Sequence, residues 1–272
     1  MNVARSLAEV EAVPSAVTVG NFDGVHRGHR TLVHRTIDTA LRRGLRSVVL
    51  TFDPHPAAVL RPGSEPPRLQ SLEQRLETLA DLGVDLTLIL AFTPELAALS
   101  ADGFVSQVLA EGVGAAAVVV GTDFRYGHRA AGDIVHLSTA GERHGFVVEA
   151  VGLLALDGDQ VSSSAIRRAV ADGEIEAAAR GLGRPFALRG EVVEGDGRGR
   201  TIGVPTANLA VDASVVVPAD GVYAGRVKLD DRWYPAVTNV GRRPTFQGTG
   251  TTVETHLLDA EVGLYGRVIE VT

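Results

Sequence analysis

Two histidines three residues apart stand in a glycine-rich segment, NFDGVHRGH. His26 and His29 fall at the start of a predicted helix, so their side chains should point the same way. The N–H groups of imidazoles and of a helix N-terminus can donate hydrogen bonds to phosphate oxygens. Such donors stabilise the charge that grows on oxygen during phosphoryl or nucleotidyl transfer. Two other interpretations are a pair of exposed histidines and a metal site, although no third ligand lies nearby in the sequence.

Polar residues also follow two other predicted strands. Asp53 and His55 lie in TFDPHP, and Asp123 and Arg125 lie in GTDFRYGHRAAGD. The carboxyl ends of parallel strands form the ligand-binding edge of an open α/β sheet. We therefore expect these residues at the same edge as the histidines, with ordinary surface loops as the alternative.

A serine-rich segment, VSSSAIR, opens another predicted helix. Ser162, Ser163 and Ser164 can cap that helix and still present hydroxyls to a phosphate. Arg167, one turn later, can neutralise a triphosphate tail or a departing pyrophosphate. The alternative is a plain serine cap beside a solvated arginine.

A second glycine-rich segment, GDGRGRTIGVPTANL, lies near the C-terminal third of the chain. Backbone amides around Gly199, Arg200 and Gly203 could cradle phosphates. The Thr206 hydroxyl and the Asn208 amide oxygen are hard oxygen ligands that suit Mg²⁺. A polar turn of a β-barrel is the alternative interpretation.

The elements that position these residues change character along the chain. Up to about residue 182, apolar strands alternate with helices, which is typical of a parallel, doubly wound α/β sheet. Beyond Gly183 the apolar segments are short and separated by Gly, Pro and Asp, which favours a small antiparallel barrel. We predict two domains, 1–182 and 183–272. The predicted strands span 16–20, 47–52, 86–92, 115–121 and 146–151, and the main helices 29–43, 71–83, 100–112 and 134–144.

Composition excludes several function classes. The net charge is -7, which disfavours general nucleic-acid binding. Cysteine is absent, so thiolate metal sites and cysteine nucleophiles are excluded. Lys228 is the only lysine, and no Gly-Lys-Ser/Thr loop occurs, which excludes a P-loop. No signal peptide or long apolar span is evident, so a cytoplasmic protein without membrane partners is expected.

The histidine turn, together with TFDPHP, GTDFRYGHRAAGD and VSSSAIR, resembles bacterial bifunctional riboflavin kinase/FMN adenylyltransferases, the FAD synthetases. The resemblance implies a Rossmann-like nucleotidyltransferase domain that transfers AMP from ATP to FMN, with release of FAD and pyrophosphate. It implies catalytic roles for His26, His29 and Arg167. Substrate or nucleotide binding would fall to Gly20, Asn21, Phe22, Asp23, Gly24, Asp53, His55, Asp123, Arg125 and the serines at 162–164. Ser164 stands where the family usually has threonine.

The later motifs resemble the riboflavin kinase module of the same family. They are PTAN, TNVGRRPTF from Thr238 and VETHLLDAEVGLYG from Val253. The resemblance implies Mg²⁺, ATP and riboflavin as ligands, with the carboxylate of Glu254 as the base that takes the proton from the riboflavin 5′-hydroxyl. Family members continue into a C-terminal helical segment beyond Thr272, so an adenylyltransferase with an incomplete kinase is an alternative. A non-catalytic flavin- or nucleotide-binding regulator is another, and the oligomeric state is left open.

Overall fold

The structure is a computed structural model that describes residues 1–156, 158–195, 205–230, 232–245, 248–258, 260 and 262–272. The predictions for Gly199, Arg200 and Gly203 lie outside the described residues. The chain divides into two compact units, 1–66 with 72–161 and 67–71 with 162–272.

The first unit is built on a parallel sheet of six strands in the order β1-β4-β3-β2-β5-β6. The strands are β1 Asn2–Ala4, β2 Ser15–Val19, β3 Arg46–Phe52, β4 Leu86–Leu90, β5 Ala115–Gly121 and β6 Val147–Val151. A two-stranded ribbon, β7 Ala155–Leu156 and β8 Asp159–Gln160, follows. The chain proceeds from β2 through β3 to β4 and then returns to the other side of β2 with β5. The order of the sheet therefore reverses at β2, which is where such sheets bind ligands.

Helices connect these strands. They are α1 Arg27–Arg43, α2 Pro56–Leu60, α3 Leu72–Asp81, α4 Pro94–Ala98, α5 Ala101–Gly103 and α6 Ile134–His144. The α5 turn continues as a π-helical stretch, Phe104–Val113. Local chemistry sets several ends: the Ser100 side chain accepts from the Gly103 amide at the start of α5, and Asp133 caps α6 by accepting from the His136 amide. Gly44 ends α1 in the left-handed conformation.

The core explains why these elements assemble as they do. All five residues of β2 and all five of β4 are buried, since helices cover the parallel sheet. Their side chains pack with those of β3, β5 and the π-helical stretch in one apolar cluster. The rigid strands therefore hold their carboxyl ends in fixed positions, and the loops that follow them carry the polar residues.

The second unit contains two helices, α7 Ser163–Ala171 and α8 Ile175–Leu182, and a closed antiparallel barrel. The barrel strands are β9 Leu188–Val193, β10 Ala207–Val211, β11 Gly221–Leu229, β12 Arg232–Thr245, β13 Gly248–Leu257 and β14 Val268–Val271. Around the barrel they follow the order β10-β13-β12-β11-β14-β9. Val227, Ala236, Val253 and Ile269 are among the buried side chains that fill it.

The predicted fold class is confirmed: a parallel α/β sheet is followed by an antiparallel barrel. Residues 207–211, for which no strand was predicted and a polar barrel turn was the alternative interpretation, form β10 between β9 and β13. The short elements β1, α2 and α4 were not foreseen. The boundary at 182/183 stays a prediction.

Candidate active sites

The turn after β2 has an unusual backbone. Phe22 and Val25 adopt positive φ angles of 49° and 38°, and Gly24 lies between them at 80°. Positive φ is uncommon outside glycine, and for a β-branched valine it is an outlier. Phe22 and Val25 are fully buried in a small apolar cluster, which stabilises the turn against this strain. Backbone strain of this kind clusters at functional sites.

The two histidines lie side by side at the start of α1. Their rings stack with centroids 3.6 Å apart and planes 16° from parallel. The Nδ1 atom of His26 accepts a hydrogen bond of 3.3 Å from the His29 amide, so His26 is the N-cap of the helix. A Cβ atom on Gly28 would lie 3.2 Å from the His26 ring, so glycine leaves room for the stack. The prediction that both side chains point the same way is confirmed.

His29 is held neutral. Burial, reinforced by the nearby charges of His26 and Arg75, lowers the pKa of its imidazole well below the usual value of 6.5. Its Nδ1 atom is buried and has no hydrogen-bond partner among the described residues, whereas Nε2 is not closed off in this way. A buried N–H without an acceptor is costly, which favours the lone pair on Nδ1 and the proton on Nε2. Such an Nε2–H can donate to a ligand oxygen.

Asn21 and His55 meet beside this turn. His55 Nδ1 accepts from the Ala57 amide at 3.1 Å, and its Nε2 lies 3.2 Å from the Asn21 amide nitrogen. Because Nδ1 accepts a hydrogen bond, the imidazole proton lies on Nε2. The oxygen and nitrogen of an asparagine amide are exchanged by rotating the group, and in the rotated form the Asn21 oxygen accepts from His55 Nε2–H. Asp53 follows β3 in the same loop as His55, with its amide donating to Leu90. Asp23 is buried in the histidine turn.

A cavity of about 790 Å³ opens at the carboxyl ends of β2, β3 and β5. Its volume is in the usual range for a small-molecule site. Gly20 and Asn21 contribute to its wall, and Phe22 and Gly24 lie directly after them in the turn. Aromatic side chains form much of the remainder: Phe52, Phe92, Phe104, Phe124 and Tyr126. The rings of Phe124 and Tyr126 are stacked at 5.4 Å, and those of Phe52 and Phe92 meet edge to face at 5.5 Å.

Charged residues also line the cavity. Asp123 and Arg125 come from the loop after β5, as predicted, and Arg129 and Arg61 add two cations. Arg125 forms an exposed ion pair with Asp133, 3.5 Å between Nη1 and Oδ2. An apolar cavity with cationic side chains can accept a flat ring system that carries a phosphate.

Sequence reasoning missed two contributors to this region. The guanidinium of Arg75, on α3, is buried below the end of β3, 3.4 Å from the Phe52 carbonyl oxygen and 3.5 Å from the Thr51 hydroxyl. Tyr126 is a buried wall of the cavity. Arg75 gave no signal in the sequence because it sits within an ordinary amphipathic helix. Tyr126 lies inside the GTDFRYGHRAAGD motif, so a search for aromatic residues there could have found it.

The serine-rich segment begins α7, in the second compact unit. The Ser162 hydroxyl accepts from the Ala165 amide at 3.2 Å, which makes Ser162 the N-cap. Ser163 and Ser164 occupy the first turn. The Nη1 atom of Arg167 lies 3.4 Å from the Ser164 hydroxyl oxygen. The helix start therefore combines a capped N-terminus, hydroxyls and a guanidinium within one turn.

On the barrel, two of the predicted kinase residues, Glu254 and Asn208, share one face. Glu254 on β13 is paired with Asn208 on β10 and with Asn239 on β12. Residues paired across an antiparallel ladder project to the same side of the sheet. Thr206 lies just before the first residue of β10, two residues before Asn208. The intervening Ala207 is buried, as is Thr255 beside Glu254, so Glu254 and Asn208 lie on the outer face of the barrel.

Two family models match the chain. The FAD synthetase model covers residues 9–165, and the riboflavin kinase model covers residues 182–272. The bifunctional riboflavin kinase/FMN adenylyltransferase of Escherichia coli K12 is 40% identical over 275 residues, which span 100% of this chain and 88% of that protein. The chain belongs to this bifunctional family. The family predicted from the motifs is therefore confirmed.

Another curated relative and a solved structure are also similar to this chain. The protein of the same description from Pseudomonas fluorescens is 42% identical over 255 residues, covering 93% of this chain and 81% of that protein. A crystal structure described as a macrolide-efflux protein from Streptococcus pneumoniae is 31% identical, with a TM-score of 0.90 over 99% of this chain and 88% of that one. Within the described residues, every helix is too short or too polar to cross a membrane.

Proposed function

We propose that this protein makes FMN from riboflavin and then FAD from FMN, using ATP in both steps. Relatives at 40% and 42% identity over nearly the whole chain carry the description of both activities. The observation that carries the adenylyl transfer is the stacked pair His26 and His29 at the N-terminus of α1, after the turn whose Gly20 and Asn21 line the aromatic cavity. The observation that supports the kinase is Glu254 between two asparagines on the barrel face.

The adenylyl transfer needs little acid–base chemistry. A phosphate oxygen of FMN attacks the α-phosphorus of ATP, the bond from that phosphorus to the bridging oxygen breaks, and pyrophosphate leaves. The nucleophile is already an anion, so catalysis consists of positioning and charge stabilisation. His26 and His29 would donate hydrogen bonds to the reacting phosphates, and the aromatic cavity would hold the flavin ring. For Arg167 and the serines of α7, binding of a phosphate group remains a prediction.

The kinase step has a different requirement. The 5′-hydroxyl of riboflavin is neutral, and its oxygen attacks the γ-phosphorus of ATP while ADP leaves. A base must take the hydroxyl proton, and we assign that role to the carboxylate of Glu254. Asn208 and Asn239, its neighbours across the ladder, would orient the substrate oxygens around it.

The oxygen donors near Glu254 fit a magnesium ion. The Thr206 hydroxyl and the Asn208 amide oxygen are hard donors, and Mg²⁺ characteristically uses a few such ligands together with substrate phosphates and water. When bound, the ion neutralises charge on the β- and γ-phosphates of ATP. We therefore propose Thr206 and Asn208 as its protein ligands. The cytoplasmic location and the absence of nucleic-acid and membrane partners remain predictions.

Product analysis tests the proposal. The protein is incubated with Mg²⁺-ATP and either riboflavin or FMN, and the flavins are separated by chromatography. We expect FMN and FAD from riboflavin, and FAD with stoichiometric pyrophosphate from FMN. FAD from FMN without any phosphorylation of riboflavin would remove the kinase assignment. A folded sample that makes neither product would contradict both assignments.

A further inference from the structure

Tyr126 is held in place by the loop that it belongs to. Its backbone forms a two-way bridge with Gly132, with hydrogen bonds of 3.2 and 2.9 Å. A Cβ atom on Gly132 would lie 2.7 Å from the Tyr126 ring, so only glycine permits this contact. The Tyr126 ring also stacks on the Phe124 ring. The tyrosine is thus a fixed part of the cavity wall.

A chain of polar contacts runs from the Tyr126 hydroxyl to the protein surface. The hydroxyl oxygen lies 2.7 Å from Nδ1 of His136 on α6. His136 Nε2 lies 3.4 Å from Oδ1 of Asp102 on α5, and Arg143 Nη2 lies 2.7 Å from the same oxygen. The chain links α5, α6 and the loop after β5, three segments that are separate in the sequence.

The direction of the hydrogen bonds follows from the chemistry of the groups. Burial, with the negative charges of Asp102 and Asp133, raises the pKa of Tyr126, so its hydroxyl remains protonated and is able to donate to His136 Nδ1. The hydrogen bond from Arg143 lowers the pKa of Asp102, so that carboxylate is an anion, and its charge 3.4 Å from His136 Nε2 favours a proton on Nε2 and a lone pair on Nδ1. The imidazole is therefore polarised between a donor and an anion.

We propose that His136 and Asp102 are positioning residues for the flavin: through the Tyr126 hydroxyl they fix the angle of the aromatic wall formed by Phe124 and Tyr126. A flat ring gains stacking energy only where the opposing rings are held at the right orientation. The chain therefore sets the KM for FMN rather than the rate of adenylyl transfer. This inference rests on the proposed binding of the flavin in the cavity.

The exposed fractions of the three side chains predict which substitution should weaken flavin binding most. The His136 side chain is 31% exposed, whereas those of Asp102 and Arg143 are 62% and 55% exposed. Interactions between exposed charges contribute little because water and salt screen them. Loss of the His136 acceptor should therefore matter most, loss of the Asp102 charge less, and loss of Arg143 least.

A matched pair of variants tests the role of His136. His136→Asn keeps an acceptor near the position of Nδ1, whereas His136→Leu removes it. We expect His136→Leu to raise the KM for FMN about 5- to 10-fold, the usual effect of one lost hydrogen bond, with kcat and the KM for ATP unchanged. His136→Asn should restore most of the loss. Glu142→Gln, exposed on the same helix, is the control and should change nothing.

A double variant of His136 and Tyr126 distinguishes a positioning role of His136 from a general structural role. In a Tyr126→Phe background, which keeps the ring and removes the hydroxyl, His136→Leu should have no further effect on the KM or on the quenching of FMN fluorescence. The same fold-change in both backgrounds, or a fall in kcat with an unchanged KM, would overturn the inference. If the wild-type protein makes no FAD from FMN, the proposed function itself is wrong, and quenching by FMN would still report whether the chain governs flavin binding.

Discussion

The histidine turn and the outer barrel face, the two proposed sites of ATP chemistry, present opposite kinds of chemical groups. The turn presents two stacked imidazoles, of which His29 has a lowered pKa, together with a helix N-terminus and a backbone strained at Phe22 and Val25. The barrel face presents a carboxylate, Glu254, between two asparagines. The proposed nucleophiles explain the difference: the FMN phosphate is already charged and needs only donors, whereas the riboflavin hydroxyl must lose a proton and needs a base.

The comparison also explains how both proposed sites could bind phosphates in a protein that contains a single lysine. Neither proposed site requires one, since charge is balanced by helix N-termini, imidazoles and guanidinium groups. Arg167 on α7 and Arg125 at the cavity illustrate this use of arginine. Arginine stays charged at all relevant pH values and can bind phosphate through two nitrogens at once.

Replacement of His29 should separate the two activities most sharply. His29→Ala removes a donor to the reacting phosphates, and we expect FAD formation from FMN to fall about 100- to 1,000-fold, while riboflavin is phosphorylated at the wild-type rate. His34→Ala, an exposed histidine on the same helix, is the matched control. Equal loss of both activities in a folded His29→Ala protein would argue against separate sites.

The reciprocal change is Glu254→Gln. It keeps the shape of the side chain and removes the base, so phosphorylation of riboflavin should fall about 100- to 10,000-fold, with FAD formation from FMN intact. Glu191→Gln, an exposed glutamate on β9, is the control and should retain both activities. Normal kinase activity in Glu254→Gln would assign the base to another residue.

Substitution of an aromatic residue of the cavity should have a smaller effect, confined to the binding of FMN. Phe124→Ala removes one of the two stacked rings, and we expect the KM for FMN in the adenylyl transfer to rise about tenfold, in line with about 1 kcal/mol for an aromatic pair plus lost burial. The KM for riboflavin in the kinase step should not change. A parallel rise in both KM values would show that Phe124 supports the fold rather than the flavin.

The neutral state of His29 makes a prediction about pH. Its pKa is lowered in the folded protein, so between the folded value and about 6.5 the unfolded chain binds more protons and stability falls as pH decreases. Above pH 6.5 both states are neutral and this contribution is constant. In an NMR titration, the His29 imidazole signal, assigned by its absence in His29→Ala, should not titrate near pH 6.5. Titration near 6.5 would show that His29 is not held neutral.

The sequence predicted most of the fold because its signals were local. The helix predicted over 134–144 and the strand over 115–121 are observed with the same bounds, since Asp133 and Gly145 cap the helix and the strand is a continuous apolar run. β10 was missed because PTAN resembles a turn until the neighbouring strands are known to pair with it. Positive φ at Val25 also contradicts local preference, and only tertiary packing maintains it.

The candidate sites were predicted as separate motifs, and the contacts within them were not. The stack of His26 on His29 follows from their spacing on one helix. The chain from Tyr126 through His136 to Asp102 joins residues that are distant in the sequence, so no pattern of spacing could reveal it. Contacts of this type depend on how the loop after β5 packs against α5 and α6.

Mixing the two inactive variants tests most directly whether the protein has two independent active sites. His29→Ala and Glu254→Gln are each supplied with riboflavin and Mg²⁺-ATP, alone and together, and FAD is measured. We predict that His29→Ala alone stops at FMN, that Glu254→Gln alone leaves riboflavin unchanged, and that the mixture makes FAD because FMN from one variant is used by the other. A mixture that accumulates FMN without FAD, or leaves riboflavin unchanged, would contradict two separate sites.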